Sequence, residues 1–513
     1  MQLLDWIGFG KVSAERDDLL SKYFFDNGVL NSIIQSPSSF LILGRKGAGK
    51  TAVFKYLLEN HKTLIKSDDV LIPMSFEDYN WNIHSLLTNS TKAESMLYKQ
   101  SWRFIVLVES VRALKTWFSA SSQKAPKKIE AANKLLEKIF DSPIPSISQI
   151  VGRKLLSLSG LKLPSGGLDL ESGSLDSVTL EAGEVSFEQV QQDNTLRGAL
   201  SENIERLITL LDDALANIDA SCPTIYICFD RVDEAWDGVS YETSKRVIAG
   251  LVSACDSISA QYGGKIRPMV FLREDIFDVL NINDANKLRE DCGALLHWTK
   301  ISLVSLILKR VNYFALANGV QAVTDIDSLF DKQEMRQRAK PMNYLLRRSM
   351  MRPRDMIAFL SRTIESMKES AIDPFSDETK VFNQIECDYI YAAEPGYSEW
   401  LKQEILDEWQ VQKPVILMIF NAIQNHGSTN ITKEILSEEL VKLSPDYDRQ
   451  NIIRDLRFLF DNSIIGIKIG ASTEWKYKCF YPSQGFVDSD EYHIHDGLVR
   501  ALNLTEPRDR EQR

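Results

Sequence analysis

The chain has 513 residues, of which 44% are hydrophobic and 26% are charged. These proportions are typical of a soluble globular protein, and the length allows about three domains. The net charge of -11 argues against a broad surface that neutralises nucleic-acid phosphates, so we expect any such contact to be local. The sequence contains no run of 18 apolar residues and no basic leader, which predicts a cytoplasmic chain without a membrane segment.

The cysteine and histidine patterns give little support to a metal or disulfide site. The six cysteines contain no C-x-x-C pair, so isolated thiols are the preferred interpretation. His493 and His495 are the closest pair of histidines, and they would supply at most half of a metal site.

A glycine-rich turn follows an apolar run at residues 40–43 and matches G-x-x-x-x-G-K-[ST] in full. In this pattern backbone N–H groups surround phosphate oxygens, Lys50 reaches the β- and γ-phosphates, and the Thr51 hydroxyl binds Mg²⁺. Residues 40–43 are predicted to form a strand, and residues 51–59 a helix whose N-terminus faces the anion. The predicted phosphate-binding residues are Gly44, Arg45, Lys46, Gly47, Ala48, Gly49, Lys50 and Thr51.

The segments on either side of this turn have their own patterns. Residues 14–24 have the spacing of an amphipathic helix, which either walls an adenine ring or packs as an ordinary helix. Residues 69–76 are predicted to form a second strand, and Pro73 indicates an edge position or an irregular end.

Residues 158–188 alternate apolar residues with Gly, Ser and acids, which predicts a small β-hairpin insert or a mobile loop. This acidic insert is either a docking surface for a partner or a tolerated insertion.

A continuous apolar strand at residues 224–229 ends in Asp230, which we predict to be the Mg²⁺ carboxylate. Many ATPases with this phosphate-binding pattern place an acid directly after that aspartate, but this chain has Arg231. Asp233 and Glu234 are then the candidates to orient or deprotonate the attacking water, with Glu234 preferred. Alternatively, both residues cap the next helix.

Three arginines are further candidates for the same site. Arg273 ends a predicted strand at residues 266–273, where it either senses the γ-phosphate or pairs with Glu274, Asp275 or Asp230. Arg352 and Arg354 flank a proline at a helix start, where cations oppose the helix dipole and indicate a nearby anion. They are interpreted either as lid arginines over the nucleotide or as partners of surface acids.

The C-terminal segment, residues 414–505, is predicted to hold three helices followed by a hairpin of residues 464–469 with 475–481, the layout of a winged helix. It contains nine Lys or Arg and twelve Asp or Glu, so it is acidic. A local DNA contact is one interpretation, and a protein contact or intramolecular regulation is the other. The basic residues of its third helix and wing are Arg449, Arg454, Arg457, Lys476 and Lys478.

The order of these motifs resembles a poorly characterised family of bacterial P-loop ATPases, similar to the signal-transducing (STAND and KAP-like) and origin-recognition-like branches of the AAA-type superfamily. The residues that carry the resemblance are Phe9-Gly10, Ala14-Glu15-Arg16-Asp17, Gly44 to Lys50, Asp230 to Trp236, Phe271 to Phe277 and Arg352-Pro353-Arg354-Asp355. The resemblance implies an α/β fold with a parallel-sheet ATPase core (residues 1–300), a helical lid (301–412) and a winged-helix-like domain (413–513). It favours ATP over GTP, since no Asn/Thr-Lys-x-Asp motif is evident.

Two functions follow from the motifs and the resemblance. The first is a slow Mg²⁺-dependent ATPase that acts as a molecular switch, in the bacterial defence settings where such ATPases are found, with a protein partner or a second copy of the chain. The second is a DNA-binding ATPase, a loader or maintenance factor, that uses the winged helix. A third interpretation makes the nucleotide a structural ligand and the acidic insert the working surface.

Overall fold

The computed structural model describes residues 2–76, 84, 94–140, 194–216, 218, 221–234, 241–371, 380–470 and 472–505. The predicted insert at residues 158–188 lies outside this range. By its internal contacts the chain divides into two compact units. The sheet unit comprises Asp26–Arg45 and Lys50–Leu296, and the helical unit comprises Met1–Phe25, Lys46–Gly49 and His297–Arg513.

The strands lie in two sheets. A five-stranded sheet has the order β2-β3-β4-β1-β5 with every described pairing parallel, and a three-stranded antiparallel sheet has the order β6-β8-β7. The strands are β1 (Leu41–Gly44), β2 (Val70–Ser75), β3 (Ile225–Asp230), β4 (Ile266–Arg273), β5 (Gly293–Leu295), β6 (Asn430–Ile431), β7 (Ile465–Ile467) and β8 (Tyr492–Ile494).

The helices of the described residues are numbered separately from the strands. In chain order they are α1 (Leu3–Trp6), α2 (Leu20–Tyr23), α3 (Val29–Gln35), α4 (Lys50–Leu64), α5 (Glu94–Ser121), α6 (Lys127–Phe140), α7 (Asn194–Leu215), α8 (Tyr241–Gln261), α9 (Glu274–Val279), α10 (Ala285–Cys292), α11 (Lys300–Ala317), α12 (Pro341–Arg348), α13 (Pro353–Ala371), α14 (Cys387–Trp409), α15 (Val415–His426), α16 (Lys433–Leu443) and α17 (Ile452–Asp461).

The sheet unit has the parallel sheet that the sequence predicts. Every residue of β1, β3 and β4 is buried, because helices cover both faces of a parallel sheet. β2 lies at the edge, where Pro73 costs no central ladder bond, so the edge prediction is confirmed. Since parallel strands share one direction, β1, β3 and β4 bring Gly44, Asp230 and Arg273 to the same edge of the sheet.

The N-terminal segment belongs to the helical unit, and the helix predicted at residues 14–24 is shorter than expected. Only Leu20–Tyr23 is helical, because Asp17 is held in a buried polar cluster instead. The Tyr23 hydroxyl donates to Asp17, and Arg310 Nη1 lies 3.3 Å from the same carboxylate. These contacts pack the segment against α11, and its predicted role as an adenine wall stays a prediction.

The C-terminal part of the helical unit contains three helices and a small sheet, and the predicted hairpin of residues 464–469 with 475–481 is much shorter than expected. β7 pairs with β8, and the predicted partner segment adds one antiparallel bridge, in which Ile467 and Lys476 exchange backbone hydrogen bonds of 3.0 and 2.8 Å. The next residues leave the ladder because their polar groups bond elsewhere. The Cys479 N–H donates to Ser463 Oγ at 2.8 Å, and the Tyr477 hydroxyl lies 2.6 Å from Nδ1 of His493.

Two further properties concern the described part of the chain. None of its helices has the length and apolar content needed to cross a membrane. It also contains no cluster of three or more His, Cys, Asp or Glu side chains arranged to bind a metal ion.

Candidate nucleotide site

The glycine-rich turn connects the carboxyl end of β1 to the first residue of α4. Gly47 and Gly49 have φ angles of +80° and +101°, in the left-handed region that favours glycine. These angles let the turn curve tightly into α4, whose N-terminal N–H groups carry a partial positive charge. The backbone therefore has the form that the phosphate-loop pattern requires.

Lys50 is folded back over this turn. Its Nζ donates to the carbonyl oxygens of Gly44 at 3.1 Å and Arg45 at 3.3 Å. Burial lowers the pKa of Lys50, the Asp233 carboxylate opposes this change, and the guanidinium of Arg273 adds to it. An anion bound in the turn would stabilise the charged form of Lys50, so the amine is suited to a phosphate ligand.

Asp230 lies at the end of β3 and is 2% exposed. Its carboxylate accepts hydrogen bonds from the Thr51 hydroxyl and from the backbone N–H of Arg231. Within the described residues, its Oδ2 atom is buried without a hydrogen-bond partner. The pKa of Asp230 is raised to about 7, mainly by burial and to a smaller extent by the negative charge of Asp233.

These residues fit a Mg²⁺ ion. Magnesium prefers oxygen ligands, usually one or two from the protein, with phosphate and water completing the set. A buried carboxylate oxygen without a partner is costly unless a cation or donor reaches it. Asp230 and the hydroxyl of Thr51 are therefore the residues that would hold the ion.

Replacing Asp230 with Asn should stabilise the protein without metal or nucleotide at pH 8. The native pKa exceeds the ordinary value of 3.8, so this group's contribution to stability falls as pH rises from about 4 to 7. A shift of about three pKa units corresponds to at most about 4 kcal/mol. Thermal unfolding of both proteins at pH 5 and pH 8 measures the effect. The gain should be larger at pH 8, and an equal gain at both values would contradict this assignment.

The residues after Asp230 leave the strand sharply. Arg231 has a φ angle of +61°, an unusual value for a residue with a β-carbon, and Val232–Glu234 form a single 3₁₀ turn. Asp233 is partly buried and interacts electrostatically with both Lys50 and Asp230. The side chain of Glu234 lies outside the described part of the structure. Asp233 therefore lies beside Lys50 and Asp230, and the choice between it and Glu234 stays a prediction.

Arg273 ends β4 opposite Gly44 in the register of the sheet. Its guanidinium forms two hydrogen bonds with Asp275, from Nε at 3.2 Å and from Nη2 at 2.7 Å. The predicted alternative in which Arg273 pairs with a neighbouring acid therefore describes this structure. Arg273 also interacts electrostatically with Lys50, which leaves its predicted role as a phosphate sensor as a proposal.

Within the helical unit, Arg352 contacts the loop residues Lys46–Gly49. Its Nη1 donates to the carbonyl oxygen of Lys46 at 3.3 Å, and its Nε donates to both oxygens of Asp355 at 3.1 Å. Burial disfavours the charge, but Asp355 and Glu408 outweigh it and raise the pKa of Arg352. Among the described residues, the buried Nη2 of Arg352 has no hydrogen-bond partner. An acceptor on a ligand would satisfy this donor.

Arg354 approaches the same loop but forms a different ion pair. A β-carbon added at Gly47 would lie 3.4 Å from Cβ and 3.5 Å from Cδ of Arg354. The guanidinium donates through Nη1 to Glu404 at 2.8 Å. The same loop segment is also held by Trp298, whose indole N–H donates to the carbonyl oxygen of Ala48 at 2.8 Å.

The structure thus gathers the predicted residues into two groups. Lys50, Thr51, Asp230, Asp233 and Arg273 lie together in the sheet unit. Arg352 and Arg354 lie against Lys46–Gly49 in the helical unit. The sequence interpretation did not assign a role to the acids and the tryptophan that hold the arginines and the loop in place. Only Asp355 carried a sequence signal, as the last residue of the Arg-Pro-Arg-Asp motif; the others are Trp298, Glu404 and Glu408.

Two sequence comparisons find partial similarity. Residues 302–406 match the model of the FunZ-associated C-terminal helical domain, and this segment includes Arg352, Arg354 and Glu404. The chain is 23% identical over 533 residues to the putative transposon gamma-delta 80.3 kDa protein of Escherichia coli (strain K12). That alignment covers 97% of this chain and 67% of the relative.

Solved structures of origin-recognition proteins show a distant resemblance. The Aeropyrum pernix ORC1 protein in complex with DNA has a TM-score of 0.38 at 10% identity, with 96% of each chain covered. Cdc6p from Pyrobaculum aerophilum has a TM-score of 0.27 at 10% identity, with 96% of this chain and 93% of that chain covered. Drosophila ORC bound to DNA has a TM-score of 0.31 at 9% identity, with 96% of this chain and 88% of that chain covered. TM-scores this low support no conclusion about ligands or activity.

Proposed function

We propose that the chain binds Mg-ATP on residues 44–51, hydrolyses it slowly, and uses the bound state as a conformational switch. The observation that carries this proposal is the buried, unpartnered Oδ2 of Asp230, on a carboxylate that also accepts a hydrogen bond from Thr51. A carboxylate and a hydroxyl beside a glycine-rich phosphate loop form the magnesium side of a nucleotide site.

In this proposal, different residues bind the phosphates, hold the metal ion and activate the attacking water. Backbone N–H groups of the loop and the Lys50 amine bind the phosphates, and Arg273 lies in electrostatic reach of that amine. Bound Mg²⁺ would neutralise phosphate charge while Asp230 and Thr51 hold it. Asp233, coupled to both Lys50 and Asp230, orients or deprotonates the attacking water.

Slow turnover and switching rest on separate features. Arg231 occupies the position where many related ATPases carry an acid, so water activation depends on a residue further along the chain. Arg352 donates to the carbonyl oxygen of Lys46 and Arg354 lies beside Gly47, so we expect a ligand on the loop to change the contacts of these arginines. A slow hydrolytic step would then act as a reset.

ATP binding and phosphate release by the purified chain test this function. With Mg²⁺ present, we expect saturable ATP binding and slow phosphate release, and removal of Mg²⁺ with a chelator should stop the release. A chain that neither binds ATP nor releases phosphate in Mg²⁺ would contradict the proposal. The partner, whether a protein or a second copy, and a role in bacterial defence stay predictions from the motif resemblance.

A DNA-binding ATPase is the second candidate, because α17 and its preceding turn present three exposed arginines: Arg449, Arg454 and Arg457. The wing lysines are less available, since Lys476 pairs with Glu474 and Lys478 Nζ donates to the carbonyl oxygen of Gln484. In this proposal the C-terminal helices and sheet act as a winged helix with α17 against DNA.

Charge reversal on α17 tests this candidate. Replacing both Arg454 and Arg457 with Glu should weaken duplex binding. It should also lower the slope of log binding constant against log salt concentration, because each lost phosphate contact removes about one unit of that slope. Binding is measured over a range of salt concentrations, with reversal of the exposed Lys442 of α16 as the control. Wild-type protein that fails to bind duplex or single-stranded DNA at low salt would exclude this function.

A further inference from the structure

The two arginines beside the phosphate loop hold different kinds of carboxylate. Arg352 Nε donates to both oxygens of Asp355, which is fully buried. Arg354 donates through one nitrogen to one oxygen of Glu404, and these two side chains remain 26% and 22% exposed. Breaking a buried pair leaves a charge without water or partner, whereas an exposed pair exchanges at little cost. Arg354 is therefore the arginine whose partner can be replaced.

The position of Arg354 makes such a replacement relevant to the loop. Its Cβ and Cδ atoms lie within 3.5 Å of the place that a β-carbon on Gly47 would take, so its aliphatic stem runs along the turn. The guanidinium at the end of this stem is bonded to an acid from α14. A neighbouring acid, Glu408, lies one turn further along α14 and approaches Arg352 at 3.7 Å.

We propose that Glu404 is a displaceable carboxylate that holds Arg354 in the nucleotide-free protein, and that a phosphate group of ATP takes its place. This inference rests on the proposed function of the loop. A phosphate carries more charge than a carboxylate and offers more acceptor oxygens to a guanidinium, so the exchange is favourable. Because ATP must first break the ion pair, Glu404 lowers the affinity of the loop for ATP.

The helix that carries Glu404 also holds the C-terminal segment of the helical unit. The Ser398 hydroxyl, on α14, donates to the carbonyl oxygen of Gly497 at 2.6 Å and accepts from the N–H of Ala501 at 2.9 Å. Pro395, three residues earlier, has no N–H to donate, so the helix lacks one of its backbone hydrogen bonds there. Release of Glu404 thus acts on the element that anchors residues 497–501.

Replacing Glu404 with Gln tests the displacement. The variant keeps the shape of the side chain but removes its charge, so we expect ATP to bind about threefold more tightly, the scale of an exposed ion pair. In an Arg354→Gln background the same substitution should leave the ATP affinity unchanged, because the pair is already broken. Calorimetric titration with ATP in Mg²⁺ gives all four affinities.

A matched control separates this effect from a general loss of negative charge. Glu399 lies on the same helix, is paired with Lys402 and is well exposed, so Glu399→Gln should leave ATP affinity unchanged. Unchanged or weaker binding by the Glu404→Gln variant would overturn the proposal, as would tightening that persists without Arg354. Wild-type protein that binds no ATP would instead overturn the proposed function itself.

Discussion

Replacing Lys50 with Ala is expected to weaken ATP binding by about a hundredfold, the loss that follows from removing charge-assisted hydrogen bonds to phosphate. Lys50 is the cation that the loop itself supplies, and in the structure its amine donates to the carbonyl oxygens of Gly44 at 3.1 Å and Arg45 at 3.3 Å. Direct titration of wild-type and variant proteins with ATP in Mg²⁺ measures the change.

The matched control for this substitution lies on the same helix. Lys62 is exposed near the carboxyl end of α4, so Lys62→Ala should bind ATP as the wild type does. Equal affinity of the Lys50 variant and the wild type would show that nucleotide does not use this loop. Thermal unfolding without nucleotide identifies any variant that has simply lost its fold.

The second large effect concerns hydrolysis rather than binding. Asp233→Asn should lower the rate of phosphate release by about a hundredfold, the low end of the range for loss of a general base. ATP affinity should change little, because Asp233 acts on water in this mechanism and not on the phosphates. Single-turnover phosphate release, measured at saturating ATP, separates the chemical step from binding.

Parallel variants decide between the two candidate acids. Glu234→Gln tests the residue that the sequence favours, and Asp291→Asn, at an exposed position on α10, serves as the control. A slow Glu234 variant together with a normal Asp233 variant would reverse the assignment drawn from the electrostatic coupling of Asp233 to Lys50 and Asp230. Normal release by both single variants and by the double variant would remove these acids from the mechanism.

The sheet unit was largely predictable because its signals are local. A continuous apolar run, a glycine-rich turn and a helical pattern define β1, the loop and α4, and the apolar strands β3 and β4 end in Asp230 and Arg273. Parallel strands place their carboxyl ends at one edge, so the sequence alone predicts that these residues lie near each other. The order of the strands, with β4 between β1 and β3, has no local sequence signal.

The helical unit was less predictable because its key contacts join residues far apart in the chain. Arg354 meets Glu404 fifty positions later, and nothing in the periodicity of α14 distinguishes that acid from the exposed Glu399. The short hairpin has a similar cause. Residues 475–481 have strand-like composition, but the Cys479 N–H bonds Ser463, so the pairing with β7 is limited to Lys476, and β8 (Tyr492–Ile494) forms the longer pairing.

The central claim is that Mg-ATP binds the loop and changes the helical unit. Hydrogen–deuterium exchange of the wild-type chain, with and without Mg-ATP, tests this claim directly. The expected result is slower exchange across residues 44–51 together with altered exchange in α14, where Glu404 lies. Unchanged exchange throughout the chain would contradict nucleotide binding, and protection limited to the loop would contradict the switch.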